Sequence, residues 1–552
     1  MRGTRLLIFF RILVTLYLCS CQQDVQSDTW VAVDSLGRTL PNITQVGPPR
    51  VYRTVGIFYF LTLGNDGVSN GPYDVSKILK THPEALYDLN SPYWGPLYSS
   101  HHWGESIFGY YVIDDDFILR KHASMIVNAG VDVIIFDVSN AVTYRNSYQK
   151  LCSIYSDIRM KGGRTPQIAF LCPFGNPEDI GRKTTGTLYE DLYVNGSYSN
   201  LWFRWKGKPL MLADPEYVDD DIRQFFTLRR NIAPYNQGPT GPDQWAWLEV
   251  YPQHVYPNSD GEKEEVAVGV AQNYNTIQYN STAPMSWPVN LGLNFAEQWE
   301  RALEIDPLFI FVTGWNEWTA EFSRDIEPMN GGHGDNYYYQ LCDYVRRYKG
   351  VRPLTPVKPS FIVIDGNFDD WIPVQPSFKT DPGTPVWRDY RGYGKAGPYV
   401  NHTGRNDIVE AKVSYNEDYI YFYVRTYNIT TNYTDPNWML LFLNVDTNYT
   451  TGWLGYDFAL NRAVRSSQET SLERNNISNS YLCTKVADVP YAMKGRELEL
   501  MVSRRLLGIQ SLSVTIDFKW ADNIQQDGTW SDFTLNGDAA PPDRFNFRVQ
   551  LN

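Results

Sequence analysis

Short apolar runs alternate with longer amphipathic segments between residues 50 and 350. Apolar runs bounded by turn residues predict buried strands, and the amphipathic segments between them predict helices. This alternation is typical of βα units around a parallel sheet. The pattern predicts seven strands and leaves an eighth unplaced; the predicted strands are Val55–Thr62, Val131–Val138, Gln167–Cys172, Pro209–Ala213, Trp245–Tyr251, Val266–Ala271 and Leu308–Thr313.

Two helices are predicted beside these strands. The first ends at Gly130, a C-terminal stop, and its buried face is predicted to hold Ile118, Leu119, His122, Met125, Ile126 and Ala129. Residues 114–116, three aspartates, lie where they can cap its start, and we expect His122 to be structural. A second helix, from Asp335 to Tyr348, is expected to close the sheet.

The pattern changes after residue 350. Residues 351–359 contain three prolines, which disfavour helix and central strand. Alternating strands then follow at short intervals, at Glu410–Tyr415, Tyr419–Thr426 and Trp438–Asn444. The prediction is an α/β chain: a (β/α)8 barrel of the TIM type over residues 22–350, a Pro-rich linker over 351–360, and an antiparallel β-sandwich over 361–552.

The first residues predict export. Arg2 and Arg5 precede a short apolar run, as in a signal peptide spanning residues 1–21. If the source is bacterial, Cys21 is the alternative site of a lipid anchor. Eight Asn-X-Ser/Thr sequons favour a secreted, extracellular glycoprotein; they begin at Asn42, Asn195, Asn280, Asn401, Asn428, Asn432, Asn448 and Asn476. No other run is long enough to predict a transmembrane span.

Composition narrows the class of ligand. A net charge of −13 without a basic patch argues against nucleic acid, whereas an aromatic content of 15% suits stacking against sugar rings. After the predicted signal peptide, four cysteines remain, none with zinc-site spacing: Cys152, Cys172, Cys342 and Cys483. One or two disulfides, or buried free thiols, are both compatible with the sequence.

Four of the predicted strands end in a carboxylate or next to one: Asp137, Asp214, Glu249 and Glu317. Side chains at the carboxyl ends of barrel strands converge on one mouth. Cleavage of a glycosidic bond requires two carboxyl groups there, one as acid and one as base or nucleophile. Glu317 is the first candidate because Trp315 and Trp318 flank it and could exclude water. Asp214 could instead cap a following segment.

Other polar and aromatic residues of the predicted mouth are candidates for substrate binding. They lie in loops after strands or beside the acids, and no cluster among them predicts a metal site. The candidates are His101, His102, Trp103, Asp214, Tyr251, His254, Asn273, Trp315, Asn316 and Trp318.

The segment Trp315-Asn-Glu-Trp-Thr-Ala-Glu321 resembles the Asn-Glu-Trp-X-Glu signature of glycoside hydrolase family 99, the endo-α-mannosidases. The likeness to family 99 extends to the Asp-Ile-Glu327-Pro segment, and the chain is also similar to family 71/99-like hydrolases in residues 55–60, 101–105 and 250–254. The resemblance implies a barrel hydrolase in which Glu317 is the base and the second signature Glu is the acid. In this chain Glu321 lies four residues after Glu317 instead of three, which leaves Glu249 or Asp137 as alternative acids.

Residues 364–371, 444–446 and 455–457 resemble carbohydrate-binding modules of family 9, which are β-sandwiches. This resemblance implies glycan binding. It also implies possible structural calcium, since the turns are rich in oxygen ligands; no other cofactor is expected.

The leading hypothesis is thus a secreted glycoside hydrolase acting on a polysaccharide or glycan. A carbohydrate-binding protein without catalysis and an extracellular adhesion protein on a barrel scaffold are the alternatives.

Overall fold

The computed structural model describes residues 26–32, 38–65, 67, 70–174, 178–232, 237–270, 289–319, 325–476, 480–525 and 529–552. Strands and helices alternate through the first part of this chain. Its strands are β1 Val31–Ala32, β2 Thr54–Tyr59, β3 Tyr73–Asp74, β4 His101–His102, β5 Val133–Asp137, β6 Gln167–Leu171, β7 Arg204–Trp205, β8 Lys208–Leu212, β9 Thr227–Ile232, β10 Gln244–Ala246, β11 Tyr256–Pro257, β12 Lys263–Gly269 and β13 Phe309–Thr313.

The α-helices of this part lie mostly between consecutive strands. They are α1 Ile43–Val46, α2 Val75–Thr81, α3 Asp116–Asn128, α4 Arg145–Met160, α5 Glu178–Leu188, α6 Asp220–Phe225, α7 Leu293–Ile305 and α8 Asn336–Lys349. Both helices predicted from periodicity are therefore confirmed, as α3 and α8. Within the described ranges, no helix combines the length and apolar character that crossing a bilayer requires.

Eight strands in the described part of the chain run parallel in one barrel-like sheet. Hydrogen bonding gives the order β10-β9-β8-β6-β5-β2-β13-β12, with β7 and β11 added antiparallel to β8 and β12. At the seam between β10 and β12, the backbone N–H of Ala246 donates to the Glu265 carboxylate at 3.0 Å. Because parallel strands end at the same edge, β5 and β13 bring their carboxyl ends to a common mouth.

The strand that the sequence left unplaced is β9. Its sequence, Thr-Leu-Arg-Arg-Asn-Ile, is not an apolar run. Arg229 is nevertheless buried, because its guanidinium pairs with the buried Glu264 carboxylate at 2.5 Å. Glu264 also accepts hydrogen bonds from the indole N–H groups of Trp205 and Trp245. A satisfied polar network thus takes the place of an apolar interior here, which hydrophobicity alone does not reveal.

The remainder of the chain is built mainly on a second, antiparallel sheet. Its elements are β14 Phe378–Lys379, β15 Arg388–Tyr390, β16 Tyr399–Asn401, β17 Ile408–Tyr415, β18 Tyr419–Thr426, β19 Leu440–Asn444, β20 Phe458–Val464, β21 Glu469–Asn475, β22 Cys483–Lys494, β23 Glu497–Ser503, β24 Val514–Asp522, α9 Asp532–Leu535, β25 Asp538–Ala540 and β26 Phe545–Leu551. The order is β1-β26-β24-β19-β20-β21-β22-β23-β18-β17-β14, with β25 on β24 and β15 paired with β16 apart from this sheet.

A mixed α/β chain with a barrel-like parallel sheet and an antiparallel sheet is consistent with the predicted barrel and sandwich. Strand β1, near the start of the chain, pairs with β26 in the second sheet. Residues 351–364 form neither helix nor strand. The exact domain limits stay a prediction. All four described cysteines, Cys152, Cys172, Cys342 and Cys483, are free thiols.

Charged side chains join the two sheets. Asp115 caps α3 by accepting from the backbone N–H of Phe117, and its other oxygen lies 2.7 Å from the buried Arg388 guanidinium. A second ion pair joins the Arg164 guanidinium to the Asp381 carboxylate at 2.9 Å. The aspartates before α3 are therefore a helix cap, as predicted, and one of them also contributes to the junction.

Candidate active site

Three carboxyl groups come together at the mouth of the barrel-like sheet, and we call them the mouth cluster: Asp137, Glu317 and Asp325. Asp137 is the last residue of β5, and Glu317 follows β13. Strand β2 lies between β5 and β13. Ionisation of Asp137 and of Asp325 raises the pKa of Glu317, so Glu317 lies within electrostatic reach of each of the two aspartates. Two predicted acids, Glu317 and Asp137, thus lie in the same site.

Both burial and neighbouring negative charges oppose the ionisation of Glu317. Its pKa is raised well above the ordinary value, first by burial and then by the negative charges of Asp325 and Asp137. The side chain nevertheless keeps partial exposure to solvent, as does Asp137. A partly exposed carboxyl group whose ionisation is opposed in this way is suited to proton donation.

Asp325 is a member of the mouth cluster that sequence reasoning missed. It is only 2% exposed, and burial raises its pKa to about 7. A hydrogen bond from the backbone N–H of Glu317 favours the carboxylate. Its Oδ2 atom has no hydrogen-bond partner among the described residues. Asp325 follows no apolar run, so its burial left no signal in the hydrophobic pattern.

Asp137 is less constrained than the other two acids. Its Oδ1 accepts from the backbone N–H of Ser139 at 2.9 Å, a contact that favours the charged form. Burial has the larger effect and raises the pKa of the carboxyl. Asp137 is therefore a partly exposed residue whose carboxyl is poorly solvated, which suits a base or a nucleophile.

Glu327, ten residues after Glu317, is a carboxylate of a different kind. It is fully buried and accepts from Ser106 Oγ at 2.6 Å, Tyr111 OH at 2.7 Å and Trp318 Nε1 at 2.6 Å. His122 Nε2 lies 3.2 Å from it. Three donors satisfy this carboxylate inside the core, so Glu327 is structural. The prediction that His122 is structural is confirmed by its complete burial.

Asn316 and the tryptophans beside Glu317 fix the position of that residue. Asn316 is buried; its Oδ1 accepts from the Phe60 backbone N–H at 2.8 Å, and its Nδ2 donates to the Phe60 carbonyl at 3.2 Å. The indole of Trp103 donates to the Glu317 carbonyl at 3.1 Å and stacks on Trp318 with ring centroids 4.3 Å apart. These contacts hold the segment that carries Glu317 between β2 and the loop before α3.

Burial corrects the predicted stacking role of this segment. Trp103, Trp315 and Trp318 are at most 1% exposed, so their ring faces are covered by protein rather than open to a sugar. The aromatic sequence around Glu317 builds its support. Trp247 is partly exposed and packs against the buried Phe58, with ring centroids 5.5 Å apart. Phe58 also lies against Gly314, where an added Cβ would be 3.0 Å from its ring and 3.3 Å from Asp325 Oδ1.

The two predicted histidines differ in burial. His102 is 2% exposed, and burial lowers its pKa to about 3, so it is neutral. His101, in the short pairing of β4 with β3, is partly exposed and has its Nε2 2.8 Å from the Trp94 carbonyl. Packing thus explains His102, and the role of His101 as a substrate contact stays a prediction.

Glu249 forms a separate polar group with His254 and Tyr256. Its carboxylate lies 2.9 Å from His254 Nδ1 and accepts from the Tyr256 hydroxyl. Burial raises the pKa of Glu249, and His254 is well exposed. The described charges that shift the pKa of Glu317 do not include Glu249. We therefore assign Glu249 to the support of His254 and not to the mouth cluster.

Asp214 caps a turn, the alternative left open by the sequence. Its side chain accepts from the backbone N–H of Glu216 at 3.0 Å and lies 2.9 Å from the Arg230 guanidinium. Tyr251 is partly exposed after β10 and stays a predicted contact. Glu321 and Asn273 lie outside the described residues, so their predicted roles also stay predictions.

Metal binding in the second sheet is likewise a prediction. Across the ranges that the structure describes, no three His, Cys, Asp or Glu side chains form a group suited to a metal ion. Trp371, in a segment that resembles a carbohydrate-binding module, is 1% exposed and donates to Glu499 at 2.8 Å. Its ring packs in the core of this sheet.

No protein-family model and no curated protein matches the chain. Among solved structures, it is similar to the family 99 endo-alpha-mannosidase from Bacteroides thetaiotaomicron, at 15% identity and a TM-score of 0.37, covering 53% of this chain and 97% of that one. It is also similar to a glycoside hydrolase-like protein, at 12% identity and a TM-score of 0.32, covering 56% of this chain and 98% of the other. Similarity at this level assigns neither activity nor substrate to this chain.

Proposed function

We propose that this chain is a glycoside hydrolase built on a (β/α)8 barrel, acting on a polysaccharide or glycan through a pair of carboxyl groups. The observation that carries the proposal is the mouth cluster itself. Unlike Glu327, whose oxygens are satisfied by donors, Glu317 and Asp137 keep partial exposure while burial raises the pKa of each. Partly exposed acids held against ionisation at the carboxyl ends of parallel strands are typical of catalytic sites.

In this proposal Glu317 is the general acid. Its raised pKa keeps a proton available at neutral pH, and that proton passes to the departing glycosidic oxygen. Asp137 is the base that activates water or the nucleophile that forms a glycosyl intermediate. The family resemblance implies the base role for Glu317, whereas the electrostatics of the mouth cluster favour the acid role. Asp325 is a positioning residue that raises the pKa of Glu317.

The walls of the mouth support a sugar as the substrate. Trp247 provides partly exposed aromatic surface, supported from behind by the buried Phe58, and the carboxyl groups provide acceptors for hydroxyls. We further propose that the chain is secreted and N-glycosylated, in line with its signal-like start and its sequons. Calcium binding and a carbohydrate-binding-module role for the second sheet belong to the same proposal.

The test is hydrolysis of a broad panel of α- and β-linked polysaccharides and N-glycans by the full chain. Release of reducing sugar from at least one substrate is expected. Glu317→Gln and Asp137→Asn should each lower kcat by about 100-fold to 10,000-fold, the range for loss of an acid or base. Both variants should keep the thermal unfolding midpoint of the parent, because neither side chain is a satisfied structural carboxylate.

Glu304→Gln is the matched control, since Glu304 is an exposed glutamate at the end of α7. It should retain the parent activity. Binding of a panel glycan without any hydrolysis would instead favour the carbohydrate-binding alternative. Full activity of the Glu317→Gln variant would refute the assignment of the acid.

A further inference from the structure

A cavity of about 330 Å³ lies on the second sheet, away from the mouth cluster. It is formed by the segment before β19 and by the middle of β20. Residues that line it include Tyr433, Asp435, Asn437, Trp438, Asn461 and Arg462. Its volume lies near the lower end of the roughly 300 to 1,000 Å³ of small-molecule sites.

The backbone around this cavity is irregular in a way that ordinary sheet pairing does not require. The register of β20 against β21 shifts between Leu460 and Val464, so that Asn461 sits in a bulge. Asn461 has a φ of 64°, and Asn437 and Met439 have φ values of 52° and 42°. Left-handed conformations of residues other than glycine cost free energy and concentrate at ligand sites, and bulges re-aim side chains there.

The side chain that the bulge presents is incompletely satisfied. Asn461 is 2% exposed, and its Nδ2 donates to the Met439 carbonyl at 2.6 Å. Its Oδ1 is buried without a hydrogen-bond partner among the described residues. A buried carbonyl oxygen without a donor is costly, so a ligand hydroxyl that donates to it would recover that free energy.

The charges at the rim are already balanced by protein groups. Arg462 lies 3.1 Å from Glu473 and 4.5 Å above the Tyr481 ring, and Asp435 lies 3.6 Å from Arg405. A charged ligand would have to compete with these partners. A neutral ligand would not.

Aromatic surface completes the lining. Trp438 is buried, with its indole N–H donating to the Thr431 carbonyl, and Tyr433 is partly exposed. A ligand that matches this cavity is therefore neutral, has hydroxyl donors and has an apolar face. A sugar ring combines these properties.

We propose that this cavity binds one sugar residue, with a hydroxyl donated to Asn461 Oδ1 and the ring placed against Tyr433. The residue can belong to a free glycan or to a glycan attached to this chain at Asn432, which immediately precedes Tyr433 in a sequon. The inference does not depend on the proposed hydrolase activity, because it involves none of the mouth cluster.

The experiment uses saturation-transfer NMR and calorimetry on the full chain with methyl glycosides of glucose, galactose, mannose and N-acetylglucosamine. The parent and the Asn432→Gln variant are compared, so that a covalent glycan in the cavity is distinguished from a free ligand. At least one probe should bind with a Kd of about 1 mM or lower. Binding only after Asn432→Gln would identify the attached glycan as the occupant.

Tyr433→Ala and Asn461→Gly test the site itself, in the background that binds. Each should weaken binding at least about fivefold, the value of one modest contact. Glycine suits the φ of Asn461, and thermal unfolding identifies any variant that fails to fold. Tyr433→Phe should retain binding because it keeps the aromatic ring. Tyr427→Ala, a matched substitution outside the cavity, should also retain binding, and so should Glu317→Gln at the mouth cluster. No binding in either background, or binding unaffected by both cavity variants, would overturn the proposal.

Discussion

Two groups of acids with raised pKa values in this protein differ in what surrounds them. The first group is the mouth cluster, Asp137, Glu317 and Asp325. The second group, the junction cluster, comprises Asp407, Asp538 and Asp543 together with Lys121 of α3 and Lys519 of β24. Lys121 acts on all three aspartates and Lys519 on Asp543, and in each case the cation lowers the aspartate pKa. The described charges that shift the pKa of Glu317, in contrast, are both carboxyls.

Burial nevertheless governs the junction cluster. It raises the pKa of Asp538 to about 8 and of Asp407 to about 6, and it lowers the pKa of Lys519 to about 7. Hydrogen bonds complete the arrangement: Asp538 accepts from the Ile408 backbone N–H at 2.6 Å, and Asp543 accepts from Thr534 Oγ1 at 2.7 Å. These hydrogen bonds lie within the second part of the chain, and α3 is linked to the cluster through the charge of Lys121.

The comparison separates two uses of a perturbed carboxyl group. Where opposite charges and donors share the buried space, the group contributes to the association of two parts of the fold. Where a partly exposed carboxyl is raised in pKa by other carboxyls, the arrangement favours proton transfer. A raised pKa alone therefore does not identify a catalytic acid in this chain; the charge of the neighbours and the exposure do.

The largest effect on stability is expected from Lys519→Met. Lys519 is fully buried, and its removal leaves the junction aspartates with less opposing charge. We expect the free energy of unfolding to fall by about 2 kcal/mol at pH 7, because the buried Pro541 carbonyl loses the hydrogen bond that Lys519 Nζ donates. Urea unfolding followed by tryptophan fluorescence measures this change.

One observation would show that the two clusters are not separate. Hydrolysis by folded Lys519→Met protein should match the parent, so a selective loss of kcat would contradict the structural role of the junction. Lys358→Met, at an exposed lysine, serves as control and should change stability by no more than about 0.5 kcal/mol.

The second prediction concerns the pH dependence of stability. The folded-state pKa of Asp538, about 8, exceeds the ordinary aspartate pKa of 3.8 that applies to the unfolded chain. Between these two pH values the folded chain therefore holds a proton that the unfolded chain releases. This contribution to stability is complete below about pH 4 and is lost as pH rises to about 8. Asp538→Asn should therefore flatten the fall in the free energy of unfolding by up to about 1.4 kcal/mol per pH unit.

The measurement belongs between pH 5 and pH 7. Above pH 7 the lowered pKa of Lys519 has the opposite sign, because the unfolded chain then binds the proton that the folded chain lacks. Asp369→Asn, at an exposed aspartate, should leave the slope unchanged. An equal slope in Asp538→Asn and the parent would show that Asp538 is ionised in the folded state.

Much of the fold followed from the sequence because its parallel strands are apolar and both predicted helices are periodic. The exception was β9, where Arg229 is hidden by pairing with Glu264. That partnership joins residues 35 positions apart, and no local pattern encodes it. Similarly, β1 pairs with β26 from the far end of the chain, a contact that only tertiary packing determines.

The site was predictable to a lesser extent. Strand-end position identified Glu317 and Asp137, because parallel strands fix where those residues lie. Position could not distinguish them from Asp214, which caps a turn, or show that Trp315 and Trp318 face the core. Asp325 was missed because its burial arises from the fold of the loop and not from neighbouring apolar residues.

The mouth cluster yields the final prediction, which concerns pH rather than stability. The negative charge of Asp325 raises the pKa of Glu317, so Asp325→Asn should lower that pKa. A general acid is active when protonated, and its activity falls as pH rises through its pKa. The alkaline limb of kcat/KM should therefore move to lower pH by about one unit, the shift that about 1.4 kcal/mol of charge interaction produces.

The pH profiles of kcat/KM for the parent, Asp325→Asn and the control Glu304→Gln on one substrate measure this shift. Because Asp325 itself has a pKa of about 7, the difference should be greatest above neutrality. An alkaline limb that stays in place or moves upward would mean that Asp325 does not tune Glu317, and the distinction between the two clusters would then lose its electrostatic basis.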